Sequence, residues 1–173
     1  MAAPVTVTHT HVHAMRLASG AEVLVARVLI ALANGETGEG YGFTPNQEAM
    51  FARDMAAWDA LARSRAVPLV RLLGGGCRTN IPVHEDLDLL TPLAADWAAL
   101  RAGILENRYE LLRIEPWRWG SIEQVTRLAA LAAHFDLDIG LVAPHAHPWE
   151  LAFCATLAAA LPGAGTRILV PLA

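Results

Sequence analysis

The stretch MAAWDALARSRAVPLVRLLGG, residues 55–75, decides how this 173-residue chain is organised. Its apolar residues recur at the spacing of a helix with one buried face. We predict a helix that starts at the Thr44-Pro45-Asn46 signal and ends before Val67-Pro68. The glycine run at 74–76 then predicts a loop, and we place the boundary between two domains just after it.

Upstream of the helix, three segments predict an antiparallel meander. Residues 5–13 alternate strictly, and residues 22–33 are rich in β-branched and apolar side chains. Asn34-Gly35 is a hairpin signal, after which residues 35–43 return as a glycine-rich strand. Residues 1–76 are therefore expected to form an α+β domain of one meander and one helix.

Downstream of the glycine loop, strand and helix patterns alternate, which predicts parallel α/β architecture over residues 77–173. Four short apolar segments are expected as strands, with helices between them. The strands are residues 80–85, 109–115, 137–143 and 167–172. The helices are residues 92–103, 121–134 and 149–161.

The helix and loop resemble the last helix of the capping domain in the mandelate racemase/muconate lactonizing enzyme branch of the enolase superfamily. The matching residues are Trp58, Asp59, Pro68, Leu72, Leu73, Gly74 and Gly75. Residues 23–42 resemble the second and third strands of that cap. The resemblance implies a (β/α) barrel after the cap, but a complete barrel takes roughly 250 residues. We therefore expect a shortened, internally truncated member with a partial barrel of about four strands.

The resemblance implies a magnesium site. The strand at 80–85 resembles the fifth barrel strand of the family, whose terminal glutamate is the third ligand of an essential Mg²⁺. Glu85 holds that position, with Asp86 and Asp88 close by. Mg²⁺ prefers several oxygen ligands in near-octahedral geometry, so one carboxylate alone binds it weakly. Glu85 is either a metal ligand or a solvated acid at a strand end.

Two further strands imply acid/base chemistry. RIEPWRWGSIEQV (113–125) resembles the sixth strand, with Glu115 in place of the family's aspartate. After the next strand, which resembles the seventh, His145 matches a histidine base of many relatives, and His147 is the alternative. At neighbouring strand ends Glu115 would orient the His145 imidazole for proton transfer, or the two would keep only an inherited hydrogen bond. Residues 167–172 are expected as the eighth strand.

Substrate contacts are implied around the sixth and seventh strands. Arg118 is a candidate for binding a substrate carboxylate, and a solvated loop arginine is the other interpretation. Trp117, Trp119 and Trp149 are expected either to wall a pocket or to pack the barrel mouth or a partner surface.

Three histidines alternate along the first strand. His9, His11 and His13 project from one face at a spacing of about 6.5–7 Å. They form either an exposed polar face or a site for a zinc-like ion in which one or two imidazoles engage directly.

Composition excludes several classes of function. The chain has a net charge of −4, so it offers no basic surface for nucleic acid or for an anionic membrane. Its 13 positive residues are all arginine, which excludes a lysine base or Schiff base. Cys77 and Cys154 have no metal or redox spacing and are expected as idle thiols. The first residues lack the pattern of a signal peptide, and we expect a cytoplasmic protein.

Four barrel strands cannot close alone, so we expect a homodimer or higher homo-oligomer that completes the barrel. An open four-stranded sheet with helices on one face is the alternative. Two functions stay open at this point. One is an isomerase or lyase that uses Mg²⁺ to remove a proton α to the carboxylate of a small acid. The other is a non-catalytic binding or scaffold module, because the lysine motif and two of the three metal ligands are missing.

Overall fold

The computed structural model describes residues 5–45, 49–75, 78–85, 96–163 and 165–171. The elements are, in chain order, β1 (Val5–Arg16), β2 (Glu22–Leu32), β3 (Thr37–Thr44), α1 (Ala49–Ser64), α2 (Leu69–Leu72), β4 (Val83–Glu85), α3 (Trp97–Leu105), β5 (Leu111–Ile114), a 3₁₀ turn (Pro116–Trp119), α4 (Ile122–His134), β6 (Asp138–Val142), α5 (Pro148–Ala160) and β7 (Thr166–Val170). They form two compact units. The first comprises the residues up to Leu72 together with Gly120–Ile122. The second comprises Leu73–Trp119 and the residues from Glu123 onward.

The first unit is an antiparallel sheet with one long helix. Its strand order is β1-β2-β3, which confirms the predicted meander. Ala26, Val28 and Ile30 on β2 are buried together with three alanines of α1. Those alanines are Ala52, Ala56 and Ala60.

Small residues let α1 lie directly on β3. Gly38, Gly40 and Gly42 alternate along β3 and therefore share the face that meets the helix. A Cβ atom at Gly40 would overlap the main-chain oxygen of Ala56 and the main-chain nitrogen of Ala60. The two backbones are thus in contact, and a larger residue would push the helix away from the strand.

Asp59 has a structural role in this unit. One carboxylate oxygen, Oδ2, accepts hydrogen bonds from the main-chain N–H of Tyr41 at 2.9 Å and from Nε of Arg63 at 2.8 Å. The first bond ties α1 to the edge strand β3. The aspartate of the Trp-Asp motif is therefore explained by the packing of the helix on the sheet.

Gly40→Ala should lower the free energy of unfolding by about 3 kcal/mol, because the added methyl group overpacks the contact between helix and strand. Thr37→Ala, at the exposed start of the same strand, is the matched control and should cost less than about 1 kcal/mol. Urea denaturation of both variants measures the difference. Equal losses would contradict the close packing described above.

The second unit is a parallel α/β structure, as predicted. β4, β5, β6 and β7 run parallel, with α4 and α5 between successive neighbours of the sheet. α3 begins at Trp97, and the predicted start of that helix at Pro92 lies outside the described residues. Cys154 on α5 is fully buried, and burial raises the pKa of its thiol, so the idle thiol expected there is confirmed. Cys77 lies outside the described residues.

The order of the strands differs from the prediction. The sheet runs β4-β7-β6-β5, so the first strand of the unit pairs with the last. A fifth barrel strand would lie beside the sixth, whereas a first strand lies beside the eighth when a barrel closes. The interpretation of residues 80–85 as a fifth strand is therefore wrong in its placement. β4 takes the position of a first strand, directly after the glycine loop.

None of the helices in the described parts of the chain combines the length and apolarity needed to cross a membrane.

Candidate functional site

The carboxyl ends of the four parallel strands meet at one edge of the second unit. Ile114 pairs with Leu141, Val142 with Leu169, and Glu85 with Val170, so the strands end nearly level. Glu85 ends β4, Glu115 follows β5, and His145 and His147 follow β6. In parallel α/β proteins this is the edge at which ligands bind.

Glu115 is paired with Arg118. Its Oε2 atom accepts a hydrogen bond from Nε of Arg118 at 2.5 Å, and the glutamate side chain is only 13% exposed. The 3₁₀ turn brings the arginine back over the glutamate three residues earlier. β5 and β6 are neighbours as expected, but among the described residues the Glu115 carboxylate bonds this arginine and not the His145 imidazole. The structure shows Glu115 and Arg118 as an ion pair, and the Glu115–His145 dyad and the substrate role of Arg118 stay predictions.

Glu85 lies on the opposite edge of the sheet from Glu115. Three strand spacings separate β4 from β5, which amounts to about 14 Å. Within the described ranges no group of three or more histidine, cysteine or acidic side chains is arranged to hold a metal ion. Asp86 and Asp88 lie outside those ranges. The described residues of one chain therefore do not fit Mg²⁺, which needs several oxygen ligands around it.

The loop that carries the two histidines is held by a residue that the sequence did not single out, Glu150. Its side chain is only 1% exposed. Its Oε2 atom accepts hydrogen bonds from the main-chain N–H groups of His145 at 3.0 Å and His147 at 3.4 Å. His147 caps α5, because its Nδ1 atom accepts from the main-chain N–H of Trp149 at 3.3 Å. The other carboxylate oxygen, Oε1, is buried and has no hydrogen-bond partner among the described residues.

The environment of Glu150 favours the protonated carboxyl group. Burial raises the pKa of Glu150, and the main-chain N–H groups of His145 and His147 offset part of that rise. A signal was present in the sequence, since His147-Pro148-Trp149-Glu150 has the spacing of a capping box. The position of Glu150, an acid as the third residue of the largely apolar helix α5, was a second sequence signal for its buried role.

The three tryptophans do not form one pocket wall. Trp117 is fully buried and packs against Phe153, with 6.2 Å between ring centroids. Trp119 meets Trp97 edge to face at 5.3 Å. Trp149 is 44% exposed and lies edge to face with His147 at 5.2 Å. The first two therefore belong to the packing of the second unit, and only Trp149 is placed to meet a ligand or partner.

Comparison with known proteins gives matches among solved structures alone: no family model matches, and no curated protein matches. An enolase from Pseudomonas fluorescens Pf0-1, solved with magnesium, potassium and tartrate, has a TM-score of 0.67 at 14% identity, over 96% of this chain and 82% of that one. A muconate cycloisomerase from Azorhizobium caulinodans has a TM-score of 0.69 at 12% identity, over 97% and 87%. A protein from Aspergillus oryzae assigned to the mandelate racemase/muconate lactonizing enzymes has a TM-score of 0.68 at 10% identity, over 96% and 87%.

These likenesses confirm the predicted fold. The chain has the fold of the mandelate racemase/muconate lactonizing enzyme structures of the enolase superfamily, with a cap sheet followed by a partial barrel of four strands. Identities of 10–14% carry the fold and not the activity.

Glu150→Gln should change how stability depends on pH. The folded chain holds the Glu150 proton more tightly than the unfolded chain. The contribution of this group to stability is therefore greatest below the pKa of Glu150 in the unfolded chain. That contribution is lost as the pH rises through the pKa of Glu150 in the folded chain. We expect the variant to gain stability relative to the parent as the pH rises above the pKa of Glu150 in the unfolded chain, measured by urea denaturation.

Glu123→Gln makes the same change in the first turn of α4, where the carboxylate is exposed and pairs with Arg127. It is the matched control and should show no such trend. A pH trend of equal size in both variants, or none in Glu150→Gln, would show that the buried carboxyl group does not titrate as described.

Proposed function

We propose that this protein is a shortened member of the mandelate racemase/muconate lactonizing enzyme branch that works as a homodimeric binding or scaffold module. In this proposal a second copy completes the barrel. The observation that carries it is the strand order β4-β7-β6-β5, which leaves β4 and β5 at the two edges of the described sheet.

A two-fold axis along the barrel axis would join these edges. β5 of each copy would then lie beside β4 of the other, and the two sheets of four parallel strands would give the eight of a closed barrel. Closure would remove the two edges of the described sheet, which native proteins usually cover. It would also cover Val83 on β4, which is 58% exposed in the single chain.

A binding role agrees with the state of the residues at the strand ends. The family's proton chemistry needs a metal ion and a base that both act on the same part of the substrate. In one chain Glu85 lies about 14 Å from Glu115 across the sheet. The Glu115 carboxylate is meanwhile neutralised by Arg118. Within one chain Glu85 and Glu115 are thus apart, and Glu115 is already paired. β4 also does not hold the fifth-strand position from which the resemblance took the role of Glu85 as a ligand.

The dimer can be tested at an exposed edge. Val83→Glu should convert the protein to a monomer at micromolar concentration, because it would place an unpaired charge on a strand that the closed barrel buries. Leu105→Glu, on an apolar residue that is 74% exposed and outside both edge strands, is the control and should leave the dimer intact. Light scattering after gel filtration gives the mass, and circular dichroism checks that both variants fold.

A parent protein that is monomeric at these concentrations would overturn the proposal. So would a dimer that Val83→Glu leaves unchanged, since the interface would then lie elsewhere.

The second candidate is enolase-type chemistry rebuilt between two copies. The same closure that completes the barrel would bring Glu85 of one copy next to the edge that carries Glu115 of the other. Two carboxylates would then face one space, with the His145 loop beside them. A small carboxylic acid would be the substrate, as in the family to which the fold points.

Magnesium titration separates the two candidates. If the protein is a binding or scaffold module, Glu85→Gln and Glu115→Gln should each leave Mg²⁺ binding, measured by calorimetry, the same as in the parent dimer. Glu106→Gln, which removes an exposed charge from the loop that leads into the amino end of β5, is the control. Loss of Mg²⁺ binding in both strand-end variants but not in the control would favour the shared catalytic site.

A further inference from the structure

The sheet of the first unit has one face turned away from α1, and the three histidines of β1 lie on it. The opposite face carries Ala26, Val28 and Ile30 against the helix. Val12 pairs with Ala26 and packs partly into the same core, so its neighbours on either side along β1 project to the other face. His9, His11 and His13 are all exposed there.

Two of the three rings lie together. The ring centroids of His11 and His13 are 5.7 Å apart, and the planes are tilted by 44°. Two imidazoles on one ion, each with a metal–nitrogen bond of about 2.0–2.1 Å, have their centroids roughly 4.5–5.2 Å apart. A small rotation of the two exposed side chains covers the difference. His9 is not part of a group, since none of three or more potential ligands occurs within the described ranges.

The charge beside this pair is balanced. Arg27 lies opposite His11 on β2. Its Nε atom donates to the Glu39 carboxylate at 2.5 Å, and the Tyr41 hydroxyl donates to the same oxygen. The hydrogen bond from Arg27 lowers the pKa of Glu39, so the pair stays ionised on both sides and cancels. Val25, opposite His13, adds no charge.

We infer that His11 and His13 form a two-imidazole site for a divalent transition-metal ion, with water in the remaining positions. Imidazole nitrogen suits Ni²⁺, Cu²⁺ and Zn²⁺ and not Mg²⁺, which takes oxygen ligands. The site lies in the first unit and involves no residue at the strand ends of the second. It is independent of the proposed function above.

The test uses the untagged chain and Ni²⁺ followed by calorimetry at pH 8. We expect one ion per chain, at least a tenfold loss of affinity in His11→Gln and in His13→Gln, and less than a twofold change in His9→Gln. His9 is the matched control because it lies on the same strand and the same face. A large excess of Mg²⁺ should leave the Ni²⁺ affinity unchanged.

The second control is the other pair at this spacing, His145 and His147, in the loop after β6. The double variant His145→Gln/His147→Gln should bind Ni²⁺ like the parent. Absence of binding in the parent, or binding lost in this double variant and kept in His11→Gln, would overturn the inference. Equal weakening in His9→Gln would replace it with a site of three histidines.

Discussion

The position of β7 is the constraint on which the second unit depends. It pairs with β6 on one side and with β4 on the other, so the last strand of the chain lies inside the sheet and the first strand lies at its edge. Everything at the strand ends follows from that order. Glu115 and the His145 loop share one half of the edge, whereas Glu85 lies beyond β7 at the far side. β4 and β5 both remain without a second neighbour in the described sheet.

Local hydrogen bonds then decide the state of each side chain. The 3₁₀ turn after β5 returns Arg118 to Glu115, and the capping box of α5 commits Glu150 and the Nδ1 atom of His147 to the loop. These bonds order the strand ends and engage Glu115, Arg118 and His147, for which the resemblance implied chemical roles. Local bonds also decide the state of side chains in the first unit. Asp59 joins α1 to β3, and the ion pair of Arg27 with Glu39 leaves no net charge beside His11 and His13.

Much of the fold could be predicted because the type of each element depends on the local pattern of apolar and polar residues. Alternation predicted β1, β-branched and apolar composition predicted β2, and the Asn34-Gly35 turn predicted β3. Alternating strand and helix patterns predicted the second unit. The order of the parallel strands could not be read this way, because pairing between β4 and β7 joins residues about eighty positions apart and leaves no mark in either segment. The one sequence feature that indicates this order is the place of β4 directly after the glycine loop, where a first barrel strand belongs.

The candidate site was predicted less well for a related reason. Glu115 and His145 were predicted at neighbouring strand ends, and β5 and β6 are neighbours, whereas the place of Glu85 depends on a strand order that the sequence does not show. Glu150 was missed since a glutamate in a first turn is usually a solvated helix residue. Nuclear Overhauser contacts in a dimer of mixed isotope-labelled and unlabelled chains test the closed barrel most directly. We expect contacts of β4 with β7 within one chain and of β4 with β5 only between chains. Contacts of β4 with β5 within a single chain would contradict it.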